Sequence, residues 1–330
     1  MNTTSRTLAG AALFVLLAGC SAPPVAVESP VATPTVPAVS PSESPSPTPT
    51  PTPSPTVSEP DWTPPDPDRW GLVLDTDFDG SSMPDLWDYR LTGSYGAGGR
   101  WCASPIEDNV AFGDGVARLK LSEASEKQAA KVSAEAKRKQ TNAGDKPVGC
   151  PEGVFGNAMI STQDQFSVDT GLVAARVKFP VEQGAHAGVW LQSGAQQEID
   201  IIETYGWGQG LTNVVHVRGK KNPPEGRDSW VVPEVVADRA WWDAWHTVEV
   251  EWTHSKITFR LDGEVTRELK QKTGPADYFV VISLLSSDWE TSRLTTPKAR
   301  NGSGVDADQL EPAEIPFGME VDWVRVWVRS

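Results

Sequence analysis

Three carboxylic acids are spaced along one short, isoleucine-rich segment, residues 197–205. β-Branched residues favour an extended backbone, in which successive side chains point to opposite faces. Glu198 and Asp200 therefore share one face, whereas strict alternation would turn Glu203 to the other face. A β-bulge at Ile201-Ile202 adds one residue and returns Glu203 to the face of the other two acids.

A row of three like charges repels itself and is a poor way to stabilise a sheet. The same repulsion separates the pKa values, so that one carboxyl stays protonated beside an ionised one. Hydrolysis of a glycosidic bond with retention of configuration uses such a pair, about 5–5.5 Å apart, as nucleophile and as general acid and base. The alternative is a solvated strand edge whose acids repel neighbouring chains. An edge of that kind would not need isoleucines on its opposite face.

The spacing E-x-D-x-x-E in this segment resembles the catalytic signature of glycoside hydrolase family 16, in its bulged, laminarinase-like form. The resemblance implies that Glu198 is the nucleophile, that Glu203 is the acid/base and that Asp200 is an assisting carboxylate. The four histidines are scattered and His-Cys-acid metal spacings are absent from the sequence, so we expect catalysis to need no cofactor.

Other segments extend the resemblance over nearly all of residues 70–330. They are an opening segment at 76–80, a strand carrying a cleft Trp at 184–191, a hairpin at 245–263 and a closing strand at 321–326. The fold implied is an all-β, antiparallel jelly-roll sandwich of the concanavalin-like type with an open concave cleft. Two segments depart from the family pattern, Ala187-Gly188 and residues 283–289, and both bear on the identity of the substrate.

The residue pattern favours the same fold class. Short runs of alternating apolar residues recur between Gly, Asp, Asn and Pro, and no strand–helix alternation is present. This pattern predicts an antiparallel sandwich, with Asp262-Gly263 as one hairpin turn. Residues 122–142 differ, because they are rich in Ala, Lys, Glu and Gln with charge pairs four residues apart. They are predicted to form a solvent-exposed helix or a partly ordered loop.

The N-terminal region has the composition of an export signal followed by a tether. Arg6 precedes an apolar run that is too short to span a membrane, which indicates a signal peptide at residues 1–19. The sequence Leu-Ala-Gly-Cys at 17–20 resembles a bacterial lipobox and predicts a lipid anchor at Cys20. An ordinary signal peptide that contains Cys is the alternative. Residues 20–69, rich in Pro, Ser and Thr, predict a semi-rigid polyproline linker. We therefore expect export to the bacterial cell envelope, with the domain outside the membrane.

Further residues are candidates for binding or structural roles. We expect Trp190, Trp207 and Trp289 in the cleft, because aromatic rings stack on sugars. His216 matches a family position beside the nucleophile or is a satisfied core residue. Cys102 and Cys150 form a disulfide or remain as buried thiols.

The resemblance also bears on metals and partners. In the family, Asp322 and Asp77 match positions near a structural calcium site, and the alternative is that Asp322 only bonds backbone. A net charge of −15 argues against nucleic acid as a partner. The predicted partners are a polysaccharide substrate and, through the lipid, a membrane, and we expect a monomer.

Three functions are compatible with these features. The first is a retaining endo-glycosidase acting on extracellular β-1,3- or mixed β-1,3/1,4-glucan. The second is a transglycosylase that uses the same intermediate with a sugar as acceptor. The third is a lectin on the same scaffold, although a binding protein has no use for a self-repelling row of carboxylates.

Overall fold

A computed structural model describes residues 62–93, 102–143, 150, 154–181, 185–194, 197–204, 206, 211–216, 229–230, 238–270, 273, 275–286 and 318–330. The chain divides into two units at Pro60/Asp61, and only the second unit contains described residues. The predicted signal peptide, Cys20, Trp207 and Trp289 lie outside the described residues. Within the described ranges, no helix has the length and apolar character needed to cross a membrane.

Two sheets make up the described domain, and they pair almost entirely in antiparallel fashion. The eight-stranded sheet contains β1 (Trp70–Thr76), β4 (Val110–Gly113), β5 (Val116–Lys120), β8 (Gly171–Lys178), β13 (His246–Trp252), β14 (Ile257–Leu261), β15 (Glu264–Leu269) and β17 (Gly318–Arg329). Its strand order is β15-β14-β13-β8-β17-β5-β4, with β1 also pairing with β17.

The nine-stranded sheet carries the acid segment. It contains β2 (Asp88–Tyr89), β3 (Ala103–Pro105), β6 (Ser122–Glu123), β7 (Phe155–Ser161), β9 (Ala185–Ser193), β10 (Glu198–Thr204), β11 (Leu211–His216), β12 (Ser229–Trp230) and β16 (Tyr278–Ser286). Its strand order is β12-β11-β10-β9-β16-β7-β2, and β3 and β6 pair with β7. The predicted all-β antiparallel sandwich is confirmed.

The core lies between the sheets and is built from the alternate residues of each strand. On β8, Val173 and Val177 face this core, as do Ile199, Ile201 and Ile202 of β10, and all five are at most 2% exposed. Full burial of such a side chain contributes about 1.5–3 kcal/mol. The isoleucines between the acids therefore fix which face of β10 turns outward.

The hairpin turn predicted at Asp262-Gly263 joins β14 to β15. Both residues have positive φ, 50° and 80°. This is the backbone that a two-residue hairpin turn requires, and Gly and Asp tolerate it better than branched residues do.

The Ala/Lys/Glu-rich segment folds as helix α1 (Glu126–Ala143). Ser125 caps its start, since its Oγ accepts the backbone N–H of Gln128 at 3.4 Å and its own backbone N–H donates to Gln128 Oε1 at 3.1 Å. Val132 and Ala136, four residues apart, are buried. The helix therefore packs one narrow stripe on the domain, and its other described side chains are exposed or half-buried.

A disulfide between Cys102 and Cys150 lies beside this helix, with a Cα–Cα distance of 5.6 Å. The backbone N–H of Cys150 donates to Ser133 Oγ at 3.2 Å. Cys102 directly precedes β3, which pairs in parallel with β7. The crosslink therefore ties the chain after α1 to the edge of the nine-stranded sheet.

The folded unit begins before Trp70, the predicted domain boundary. The ring of Trp62 lies 5.7 Å from Trp323 and 5.0 Å from Trp327, centroid to centroid, and its Nε1 donates to Glu249 Oε1 at 3.0 Å. Trp323 and Trp327 cluster with Trp70 on the outer face of the eight-stranded sheet. Residues 62–69, assigned from composition to the linker, therefore contain part of the domain.

Candidate active site

The three acids of β10 project from the outer face of the nine-stranded sheet. Glu198 lies opposite Gln192 of β9 and His216 of β11. Glu203 contacts His186, which lies on the same side of β9 as Gln192 because six residues separate them. The three carboxylates therefore share one face, while the intervening isoleucines enter the core.

A β-bulge between the acids makes this possible. Pairing shifts between Asp200 and Glu203, so that Ile201 and Ile202 stand against the single residue Asn213 of β11. Asn213 Nδ2 donates to the Ile201 carbonyl at 2.6 Å, which satisfies a backbone group that the ladder leaves unpaired. The bulge lies where the sequence predicted it.

Glu198 is held by the side chains opposite it. Gln192 Nε2 donates to Glu198 Oε2 at 3.1 Å, and His216 Nε2 lies 3.6 Å from Oε1. Arg90 donates through Nη2 to Gln192 Oε1, which fixes the amide so that its NH₂ group faces the carboxylate. Burial raises the pKa of Glu198, the charge of Glu203 adds to this, and His216 opposes it.

Asp200 is the most buried of the three acids, with 4% of its surface exposed. Its Oδ2 lies 3.2 Å from His216 Nε2. Burial and, next, the charge of Glu203 raise the pKa of Asp200 well above its usual range, against the effect of His216. Asp200 therefore retains a proton more readily than an exposed Asp, and a protonated carboxyl can donate a hydrogen bond.

Glu203 has a partner on each oxygen. His186 Nε2 lies 2.7 Å from Oε1, and Thr212 Oγ1 donates to Oε2 at 3.2 Å. The Glu203 side chain is 18% exposed and that of His186 is 11% exposed. The carboxyl is thus held in one orientation beside a group that can exchange a proton with it.

The family model for glycosyl hydrolases family 16 matches residues 107–323, more than half of the chain. The chain belongs to glycosyl hydrolase family 16. It is accordingly a glycoside hydrolase, with the acid segment inside the matched region. No curated protein matches the sequence significantly.

Solved family 16 structures share the fold. SCLam, a non-specific endo-β-1,3(4)-glucanase, aligns with a TM-score of 0.59 and 18% identity, over 80% of this chain and 93% of its own. The laminarinase catalytic domain of Thermotoga maritima gives 0.57 and 16% identity, over 78% and 98%. The endo-β-1,3-glucanase of Pyrococcus furiosus gives 0.58 and 18% identity, over 80% and 97%. At these identities the similarity establishes the fold alone.

Two of the binding residues predicted from the family resemblance lie beside the acids. Trp190 is opposite Asp200 in the ladder, and its Nε1 donates to Ser283 Oγ at 3.1 Å. Arg90 lies over this ring, 5.8 Å from its centroid, and over Phe279 at 5.0 Å. His216 contacts both Glu198 and Asp200. The predicted residues Trp207 and Trp289 lie outside the described ranges.

The two acids that the family 16 resemblance matched to a calcium site, Asp322 and Asp77, are not arranged to bind a cation. Asp322 Oδ2 forms an ion pair with Nη1 of Arg176, a largely buried residue. Asp77 is exposed, and its Oδ1 accepts the backbone N–H of Asp79 at 3.3 Å. Calcium takes six to eight oxygen ligands, and one oxygen of Asp322 is already paired with the Arg176 guanidinium.

Four residues of the site were not singled out from the sequence: His186, Gln192, Arg90 and Thr212. Alternation along β9 carried a signal for two of them, because residues 186, 190 and 192 fall on one face and Trp190 was already a candidate. Thr212 and Arg90 depend on which strands become neighbours, and no local pattern contains that information.

Proposed function

We propose that this protein is a retaining endo-glycosidase that hydrolyses β-glucan with β-1,3 or mixed β-1,3/1,4 linkages by double displacement. The observation that carries the proposal is the bulged strand that places Glu198, Asp200 and Glu203 on one face in three different surroundings. The substrate class follows the structural neighbours, described as endo-β-1,3- and endo-β-1,3(4)-glucanases. SCLam also has a structure with 1,3-β-D-cellobiosyl-glucose at its active site.

In the first step, the Glu198 carboxylate attacks the anomeric carbon while Glu203 gives its proton to the leaving glycosidic oxygen. The aglycone departs and a covalent glycosyl-enzyme forms on Glu198. In the second step, Glu203 takes a proton from water as the water oxygen attacks the same carbon and releases Glu198. Two inversions at one carbon give net retention.

The surrounding groups divide between these two steps. Gln192, oriented by Arg90, keeps one oxygen of Glu198 in place so that the other is directed at the sugar. Asp200, which holds a proton readily, can donate a hydrogen bond to Glu198 as that carboxylate leaves the glycosyl-enzyme. His186 and Thr212 hold the Glu203 carboxyl in the orientation needed for both proton transfers.

Aromatic and imidazole groups supply the contacts to sugar. Trp190 offers a ring next to the acids, and His216 offers a polar edge beside the nucleophile. We assign Trp207 and Trp289 to the same binding surface because aromatic rings stack on sugars. The departures at Ala187-Gly188 and at residues 283–289 set which glucan fits.

The same proposal includes where the enzyme works. Cys20 carries the lipid anchor, and the Pro/Ser/Thr-rich segment after it is the tether that holds the monomeric catalytic domain outside the membrane in the bacterial cell envelope. The support is compositional, from the short apolar run, the Leu-Ala-Gly-Cys sequence and the proline repeats. The proposal requires neither calcium nor nucleic acid.

A panel of soluble polysaccharides tests the activity. Laminarin, mixed-linkage glucan, carboxymethylcellulose and agarose are incubated with the full chain, and reducing ends and product sizes are measured. We expect a fall in polymer length on the two β-1,3-containing glucans with β-configured products. Glu268→Gln, on an exposed acid of β15, is the matched control for Glu198→Gln. Products longer than the substrate would indicate transglycosylation, and binding without cleavage would indicate a lectin.

A further inference from the structure

Glu198, Asp200 and His216 bring two carboxylate oxygens and an imidazole nitrogen within 4.8 Å of one another. His216 Nε2 lies 3.2 Å from Asp200 Oδ2 and 3.6 Å from Glu198 Oε1. Within the described ranges, no other group of three or more His, Cys, Asp or Glu side chains brings its ligand atoms this close together.

The spacing of these atoms suits a small tetrahedral ion. Zinc binds imidazole nitrogen and carboxylate oxygen with bonds of about 2.0–2.2 Å, and the corners of a tetrahedron of that size are about 3.3–3.6 Å apart. The distance from His216 Nε2 to Glu198 Oε1, 3.6 Å, lies at the upper end of that range, and the distance to Asp200 Oδ2, 3.2 Å, lies just below its lower end. Calcium and magnesium require more oxygen ligands and do not select imidazole.

Asp200 provides a second, independent observation. It is 4% exposed, and its Oδ2 accepts no well-aligned hydrogen bond from any described residue, including His216. Buried carboxylate oxygens nearly always have a partner. His216 Nε2 lies 3.2 Å from this oxygen, and the ligand atoms of Glu198, Asp200 and His216 all lie within 4.8 Å of one another, so a cation among them would give the oxygen a well-placed partner.

We propose that Glu198, Asp200 and His216 bind a divalent transition-metal ion of the zinc type and that this ion inhibits the enzyme. Three protein ligands leave a fourth position for water, as in other three-ligand zinc sites. The bound ion would engage the oxygen of Glu198 that otherwise attacks the sugar, so glucan and metal could not both use that carboxylate. Metal binding is independent of the proposed function, and only the inhibition depends on it.

Zn²⁺ alone is the probe for binding, measured by thermal unfolding and by isothermal titration of the untagged full chain. The chain must carry no histidine tag, because a tag would itself bind Zn²⁺. The four histidines of the chain can then be replaced one at a time. We expect Zn²⁺ to raise the melting temperature, and Mg²⁺ at equal concentration to leave it unchanged. Co²⁺ should give visible absorption bands typical of a four-coordinate site.

Loss of one ligand should weaken binding by at least the factor of about 10–100 that loss of a supporting group costs a metal site. His216→Ala and the near-isosteric Asp200→Asn should both show this loss. His254→Ala is the matched control, because His254 lies in an exposed pair with Asp169 at 2.8 Å. His186→Ala separates this site from the pair that His186 forms with Glu203.

The outcomes are distinct. Equal Zn²⁺ affinity in the wild type and in both ligand variants, or loss of binding in His186→Ala alone, would overturn the site. With the site established, Zn²⁺ should inhibit competitively with glucan and EDTA should reverse the effect. Each variant is compared with its own metal-free rate. Zn²⁺ bound without inhibition would overturn the inhibitory role, whereas absence of activity in metal-free enzyme would count against the proposed function instead.

Discussion

His186 Nε2 lies 2.7 Å from Oε1 of Glu203, so the proposed acid/base is paired with an imidazole from the neighbouring strand β9. Thr212 occupies the other oxygen at 3.2 Å. A general acid works only if its proton points at the leaving oxygen, and these two contacts restrict the carboxyl to one orientation. His186 is therefore a positioning residue whose effect should depend on the leaving group.

His186→Ala should lower kcat/KM on glucan by about 10–100-fold, part of the contribution that a positioned acid/base makes. The loss in kcat/KM should be small on an oligosaccharide aryl glycoside, because this ratio reports the first step and the phenolate leaves in that step without protonation. Steady-state kinetics on both substrates measure the difference. Equal losses on the two substrates would mean that His186 supports the sheet or the sugar and not proton transfer. Thr212→Val serves as a milder change at the other oxygen.

Glu198→Gln and Glu203→Gln should each reduce activity by at least about 10²–10⁴-fold, with the melting temperature within a few degrees of the wild type. Azide should restore turnover in Glu198→Gly with inverted product and in Glu203→Gly with retained product, because azide then replaces the nucleophile in one case and the attacking water in the other. NMR of the glycosyl azide distinguishes the two anomers. Near-normal turnover of the Glu198→Gln variant would exclude Glu198 as the nucleophile.

Asp200→Asn should lower activity by about 10²-fold without destabilising the domain. Burial and the charge of Glu203 raise the pKa of Asp200, so its folded value exceeds its unfolded value. Such a group stabilises the fold below its unfolded pKa and loses that contribution as the pH rises through the folded pKa. At neutral pH the variant should therefore melt at the same temperature or higher. A sharp fall in melting temperature with unchanged kcat would make Asp200 structural.

Glu249→Gln tests how a buried carboxyl with a raised pKa affects stability at a position outside the active site. Glu249 is 1% exposed on β13, accepts a hydrogen bond from Trp62, and has its pKa raised chiefly by burial. The raised pKa again means that stability is lost as the pH rises. The substitution should raise stability above that of the wild type more at pH 7 than at pH 4. The melting temperature should rise by about 2–4 °C for each kcal/mol of added stability, with activity unchanged. Differential scanning calorimetry at the two pH values measures the gain, and an equal change at both would assign it to packing.

The strands and the bulge could be predicted because their causes are local. The Asp262-Gly263 turn has the backbone that its residue types favour, and the bulge at Ile201-Ile202 follows from needing isoleucines inside and acids outside. The partners of the acids could not be predicted in this way. Gln192 reaches Glu198 through the register of β9 and β10, and Arg90 enters from the end of β2 across several strands.

Two further differences have specific physical reasons. Composition assigned residues 62–69 to the linker, but a single indole that stacks on two others can extend a domain into a proline-rich segment. The family resemblance paired Asp322 with calcium, but Arg176, opposite the neighbouring residue Trp323 in the β8–β17 pairing, already supplies a positive charge to it. In both cases the structure depends on a contact between side chains that are far apart in sequence.

The position of Trp62 determines how the domain would bear mechanical load. Its indole is held against Trp323 and Trp327 on the outer face of the eight-stranded sheet, whereas the acids project from the outer face of the other sheet. Tension arriving along the chain before Trp62 is taken up first by that stack and then by β1 and β17, which pair along most of β1. The strands that hold the carboxylates lie outside this path, so an enzyme pulled through the proposed tether would keep its catalytic geometry until the stack gave way.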